Sequence, residues 1–208
     1  MPAVTRFVLL LVLLISGGCT TQPTLSPNDA AQIQIIRITP NLGVPSRPTY
    51  EGPEQAWGQA LGGIIGGMIV ESASDMPMYI RALMDAKDID MQAILRDAVT
   101  HEAQAHPFLG RRLGEQGETM LDLKIENYGI QHKLGFSDEY GINMAVEAQL
   151  RGPGYKVLWK DTAVVAPILG LKTNTFDEFV RSDDALRERL KEATQAAIAE
   201  VLSSLPRN

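Results

Sequence analysis

The sequence predicts an α+β fold, a two-layer sandwich in which an antiparallel β-meander is packed by helices. Apolar and polar residues alternate in three segments of the second half of the chain, and apolar residues recur at helical spacing in three other segments. The chain has 208 residues, of which 45% are hydrophobic, enough for one domain with a sizeable core. The predicted order of elements is β-α-α-β-β-β-α, within a single domain that spans residues 31–208.

The first predicted element is a strand. Four isoleucines lie in "AQIQIIRITP" (31–40), and a proline ends the segment. Residues 41–55 are rich in proline and glycine, which predicts a loop.

An uncharged apolar segment follows, "AWGQALGGIIGGMIV" (56–70). On a helix, its small residues would form one smooth face and its bulky residues another. Each interior glycine costs about 1 kcal/mol relative to alanine, so such a helix needs a close partner. Three interpretations stay open: packing within the domain or a glycine-rich loop, self-association through the smooth face, and insertion into a lipid surface. The glycines of the predicted packing face are Gly58, Gly62, Gly63, Gly66 and Gly67.

Two helices are predicted between residues 72 and 112. Asp75 is a candidate cap for the first, with Pro77 in its first turn. The second starts near Asp88 or Asp90 and ends by Pro107.

Three strands and a last helix complete the domain. The strands cover residues 119–128, 141–151 and 155–166, the last two joined by a turn at "GPG" (152–154), and the helix covers residues 183–205. Alternation gives each strand one buried and one wet face. The residues predicted to face inward are Leu121, Leu123 and Ile125 in the first strand, Ile142, Met144, Val146, Ala148 and Leu150 in the second, and Tyr155, Val157 and Trp159 in the third.

The first 18 residues have the pattern of a secretory signal peptide. Arg6 provides a positive charge, residues 7–15 are all apolar, and small residues lead to Cys19. The apolar run is too short to span a bilayer, which takes about 20 residues. A cysteine at this place resembles the lipobox of bacterial lipoproteins, although that motif prefers leucine at the position of Ser16.

This resemblance implies that Cys19 becomes the mature N-terminus and carries acyl chains that hold the protein to a membrane. In the lipoproteins that this sequence resembles, aspartate directly after the cysteine favours retention in the inner membrane. Thr20 at this position therefore favours the outer membrane. Residues 19–30 are predicted as a lipidated, flexible tether. The alternative is a secreted protein with a free thiol. Since Cys19 is the only cysteine, an intramolecular disulfide is excluded.

The mature chain is acidic. Removal of residues 1–18 leaves 18 basic and 25 acidic side chains, hence a net charge of 18 − 25 = −7. This balance argues against nucleic acid as a partner, since phosphate binding needs a basic patch. It also argues against docking on anionic lipid by charge alone.

Candidate catalytic and metal-binding groups are sparse in the sequence. "HEAQAH" (101–106) differs from the zinc-protease motif, because its histidines are five apart and would point about 140° away from each other on a helix. The loop acids, including those of the predicted capping box "TFDE" (175–178), are accounted for by helix capping. No catalytic residue, metal or cofactor is predicted.

The element order and the lipobox together resemble small periplasmic lipoproteins, among them the curli-secretion type, the auxiliary lipoproteins of lipid-transporting ABC systems and poorly characterised families. Residues 56–70 resemble the glycine-zipper segments of several outer-membrane lipoproteins. The expected function is therefore a structural or protein-interaction role at the outer membrane, facing the periplasm, with an envelope protein or a second copy as partner. The alternative is an auxiliary subunit of an envelope lipid or polymer transport or secretion system, and a hydrolytic enzyme ranks last.

Overall fold

The computed structural model describes residues 23–52, 75–133 and 137–207, and its centre is a mixed β-sheet. Two long strands form the middle of the sheet, with short strands on the outer side of one and a third long strand beside the other. The α+β class predicted from the sequence is confirmed. Within the described residues the strands are β1 (Ile36–Ile38), β2 (Thr49–Glu51), β3 (Thr119–His132), β4 (Glu139–Arg151), β5 (Val157–Val165) and β6 (Asn174–Thr175).

The antiparallel pair β3–β4 is the longest ladder, running from Met120 opposite Arg151 to His132 opposite Tyr140. All the residues predicted to face inward from these two strands are buried. The ladder contains a bulge in which Glu126 is the extra residue of β3. The bulge reverses the alternation, so that buried positions continue as Tyr128 and Ile130, and β3 extends beyond the predicted residue 128.

Strand β5 pairs antiparallel with β4, as predicted, but its inward-facing set was predicted incorrectly. A bulge at Leu158 shifts the register, so that Trp159 lies opposite Leu150 while Val157 lies opposite Arg151. Trp159 is buried, whereas Val157 is on the opposite face and exposed. Tyr155 lies in the turn with a left-handed backbone (φ 62°) and is 72% exposed.

The outer strands β1 and β2 pair parallel to β3, an arrangement that the predicted meander did not include. The predicted first strand (31–40) contains only the three residues of β1, and β2 lies inside the predicted loop (41–55). Strand β2 approaches Gly129 so closely that a Cβ there would lie 2.0 Å from the Thr49 carbonyl oxygen. Glycine at this position is therefore required for the β2–β3 pairing.

Helices cover the buried face of the sheet. The described helices are α1 (Pro27–Gln32), α2 (Met76–Ala86), α3 (Met91–Ala105), α4 (Pro107–Gly110), α5 (Phe176–Arg181) and α6 (Ala185–Leu202). Helix α6 packs on β4 and β5, α3 packs along α6, and α2 contacts β2. The apolar residues that recur at helical spacing along α6 are all buried: Leu186, Leu190, Ala193, Ala197 and Val201.

Three of these helices begin at residues that the sequence offered as starts, with Asp90 rather than Asp88 used for α3, and two of the three caps are formed. Asp75 precedes α2 as its N-cap residue, without a capping hydrogen bond from its side chain. The Asp90 carboxylate accepts hydrogen bonds from the N–H groups of Gln92 and Ala93 at 2.8 and 3.2 Å. The predicted capping box between Thr175 and Glu178 is present at the start of α5.

The segment before β1 docks on the sheet near β5. The Pro23 carbonyl accepts a hydrogen bond from the Lys160 N–H at 3.0 Å. Ser26 caps α1, and the Asp29 carboxylate lies 3.3 Å from Lys156 Nζ. Residues 23–30, which belong to the predicted tether, thus make specific contacts with the domain.

A truncation in the centre of α6 tests the packing of the helical layer. Leu190 is 1% exposed, so Leu190→Ala should lower the free energy of unfolding by about 2–5 kcal/mol through lost burial and a cavity. Leu169→Ala is the matched control, because Leu169 is 67% exposed and its truncation should cost less than about 0.5 kcal/mol. Urea unfolding measures both, and equal losses in the two variants would contradict the described packing.

Candidate functional site

The sites that were predicted from the sequence lie outside the described residues. Cys19 was predicted to be lipidated, and Gly58, Gly62, Gly63, Gly66 and Gly67 were predicted to form a packing face. Both stay predictions. The described residues instead present a polar face of the sheet and, at one end of the sheet, two loops that lie close together.

The polar face is the side of the sheet opposite the helices. Long charged side chains from three adjacent strands lie on it, and its basic members are 36–46% exposed. In an antiparallel sheet, facing and diagonal positions come within contact distance, so these side chains interact across strands. The polar face comprises Asp122, Lys124 and Glu126 of β3, Glu147, Gln149 and Arg151 of β4, and Lys160 of β5.

Glu147 is at the centre of the polar face, and its side chain is only 11% exposed. Its carboxylate lies 2.7 Å from Lys160 Nζ and 3.5 Å from Lys124 Nζ, and it also accepts a hydrogen bond from Gln149 at 3.4 Å. Burial acts to raise the pKa of Glu147, but the two lysines outweigh it and the pKa is lowered overall. Glu147 therefore stays ionised at neutral pH between two cations.

A second group of interactions continues the polar face toward the start of β3. Arg151 Nε lies 2.9 Å from the Asp122 carboxylate and donates to Gln149 Oε1 at 3.3 Å. Thr39, from the connection after β1, donates to Asp122 from its hydroxyl. Gln149 links this group to Glu147, so the charges of three strands form one connected network.

This network presents neighbouring acidic and basic side chains on one face of three hydrogen-bonded strands. Such a surface gives specificity through charge complementarity with a partner. Alternation in the sequence indicated Asp122, Lys124 and Glu126 as wet-face residues. It did not indicate that Glu147 would lie between Lys124 and Lys160, because the cross-strand register depends on the bulges.

Two loops of the chain come together at one end of the sheet. Strand β6, after the first loop (167–173), pairs with β4 at Glu139 and Tyr140, where the second loop (133–138) ends. Ile168 and Leu169 are 61% and 67% exposed, while Leu171 packs against the core.

The three histidines serve separate local roles. His101 is exposed and pairs with its neighbour Glu102. His106 Nδ1 accepts hydrogen bonds from the N–H groups of Phe108 and Leu109 at the start of α4, and burial followed by the charge of Arg207 lowers the pKa of His106. His132 contacts the Tyr140 ring, with the ring centroids 5.0 Å apart.

Residues 23–52, 75–133 and 137–207 contain no group of three or more His, Cys, Asp or Glu side chains placed to hold a metal ion. No helix in this part of the chain has both the length and the apolar character needed to cross a bilayer.

Comparison with solved structures finds a limited likeness to several proteins. These include a DUF330 protein from Xanthomonas campestris (TM-score 0.44, 11% identity, covering 89% of this chain and 92% of that chain). They also include a PelC dodecamer from Paraburkholderia phytofirmans (TM-score 0.38, 15% identity, 89% and 95%) and a minor lipoprotein from Acinetobacter baumannii (TM-score 0.38, 12% identity, 54% and 81%). No family model and no curated protein matches the sequence. At these TM-scores and identities, no conclusion about function follows from the likeness.

The Glu147 network predicts a loss of stability in acid. The lowered pKa means that its stabilising contribution is present above 4.5, the ordinary value for glutamate, and is lost as the pH falls through the lower folded value. At neutral pH, Glu147→Gln should lower the free energy of unfolding by about 1–3 kcal/mol, because Lys160 loses its charged partner.

Glu126→Gln is the matched control for this prediction. Its side chain is 43% exposed, so its ion pair with Lys124 should contribute less than about 1 kcal/mol. Urea unfolding from neutral to acidic pH measures all three proteins. The stabilities of wild type and Glu147→Gln should converge in acid, and parallel curves would contradict the assigned role of Glu147.

Proposed function

We propose that this protein is a lipid-anchored lipoprotein of the bacterial outer membrane, facing the periplasm, whose domain binds another envelope protein. The observation that carries the anchor is the sequence around Cys19: a charged start, nine apolar residues, small residues and then the only cysteine of the chain. Thr20 supports the outer membrane as its location.

The polar face supports a binding role for the domain. Its charged groups are paired with one another, and Glu147 lies at its centre between two lysines. Its basic side chains keep about two fifths of their surface in contact with solvent. Paired charges on a hydrogen-bonded sheet suit recognition of a polar protein surface, and we propose binding rather than catalysis as the activity. A partner that belongs to a lipid or polymer transport or secretion system would make the protein an auxiliary subunit of that system.

Metabolic labelling tests the anchor. The wild-type chain should incorporate a fatty-acid probe and fractionate with the outer membrane, because acyl chains on Cys19 hold it there. Cys19→Ser should lose both the label and the membrane fraction. Label on Cys19→Ser, or a soluble wild-type chain with a free thiol at Cys19, would contradict the proposal.

Site-specific crosslinking in intact cells tests the binding surface. A photo-crosslinking residue at Glu126, on the polar face, should give one discrete heavier product, because this surface contacts a partner. The matched control is the same residue at Lys191, which is exposed on α6 in the opposite layer. A distinct heavy partner supports binding to another envelope protein, and a ladder of chain multiples indicates self-association. Equal products from both positions would contradict a role for the polar face.

A further inference from the structure

We infer that the outer edge of β5, together with the turns that flank it, lies against the lipid surface of the membrane that carries the anchor. We call this surface the β5 edge and define it as residues 155–169. The inference rests on the proposed acylation of Cys19, and it adds an orientation of the whole domain and a lipid-contacting surface to that function.

The first argument is the reach of the chain. The Pro23 carbonyl is bonded to the Lys160 N–H, in the middle of β5. Four residue steps separate Cys19 from Pro23, and an extended chain spans at most about 3.6 Å per residue, so the acylated residue lies within about 14 Å of Pro23. A domain with its anchor this close to β5 cannot turn this strand far from the bilayer.

The second argument is the distribution of exposed apolar side chains. Seven large hydrophobic residues are exposed in the described part of the chain, and five of them lie on the β5 edge, on both sides of the point where Pro23 docks. A bilayer surface provides an apolar environment for such side chains, which can enter the boundary between headgroups and acyl chains. The five residues are Tyr155, Val157, Val164, Ile168 and Leu169.

The third argument is charge. Residues 155–169 contain two lysines and one aspartate, whereas the whole chain has a net charge of −6. Lys156 is paired with Asp29, and Lys160 with Glu147, so the segment is close to neutral rather than strongly basic. The segment therefore lacks the large excess of acid that would repel anionic headgroups.

The backbone of β5 argues against strand pairing with a second copy. Alternate residues of an edge strand direct their N–H groups outward, and Lys160 and Thr162 occupy such positions. The Lys160 N–H is bonded to Pro23, and the Thr162 N–H donates to the Asp161 carboxylate at 2.8 Å. Internal groups thus satisfy two of the donors that an added strand would need, and a charge stands at the edge, which is how natural sheets block such pairing.

Fluorescence quenching in membranes tests the inference. Acylation blocks Cys19, so a cysteine introduced elsewhere is the only free thiol. The full lipidated chain carrying Leu169→Cys is labelled with an environment-sensitive fluorophore and reconstituted into vesicles of phosphatidylethanolamine and phosphatidylglycerol with brominated acyl chains. Met78→Cys is the matched control, because Met78 is also apolar and exposed (45%) but lies on α2, which contacts β2 on the other side of β3.

The label at position 169 should be quenched at least about threefold more than the label at position 78, because only the former enters the lipid boundary. Equal quenching in protein that floats with the vesicles would overturn the inference while leaving the anchor intact. A blue shift at position 169 that grows with protein density, without quenching by lipid, would assign the edge to a second copy and also overturn it. Failure of every variant to float with the vesicles would refute the anchor and the inference together, and flotation separates this result from the others.

Discussion

The structure depends on one interaction, the antiparallel ladder between β3 and β4. Twelve registered residue pairs join these strands, and every other strand attaches to one of them. The ladder sets the position of the parallel strands β1 and β2 on one side and of β5 and β6 on the other. Its buried side chains also form the surface on which α6 packs.

Two bulges, one in the β3–β4 ladder and one in the β4–β5 ladder, determine which side chains are buried. Before Glu126, the buried positions of β3 are odd-numbered and the polar face carries its charged network. After it, the buried positions are even-numbered, and Tyr128 and Ile130 continue the core toward a cluster of aromatic rings around Tyr140. At the start of β5, the bulge at Leu158 places Val157 opposite Arg151, on the exposed side of the sheet and away from the core. Both shifts are consequences of a single extra residue in a strand whose side chains alternate with period two.

The two proposed surfaces are adjacent and compatible. The polar face extends across β3 and β4, while the β5 edge is its border on one side, with Lys160 belonging to both. A domain whose β5 edge rests on a membrane would hold the β3 side of the polar face away from the lipid, where a partner in the periplasm can reach it. Residues 23–29 are docked on the domain, so only the few residues between Cys19 and Pro23 connect the proposed anchor to it. This short connection restricts how the domain can be oriented on the membrane.

The sequence alone determined the features that depend on local order. Period-two alternation identified the buried residues of β3 before its bulge and of β4, and helical spacing identified the apolar residues of α6. The capping residues indicated helix starts at Thr175 and at Asp88 or Asp90, of which the structure uses Asp90. Cys19 and the glycines of residues 56–70 carry predictions of the same local kind. Only the tertiary structure decided the parallel pairing of β1 and β2, the bulges, the position of Glu147 between two lysines and the docking of Pro23 on β5. These features join residues that are far apart in the chain, and a shift of register by one residue exchanges the buried and exposed faces, so no short stretch of sequence contains the information that sets them.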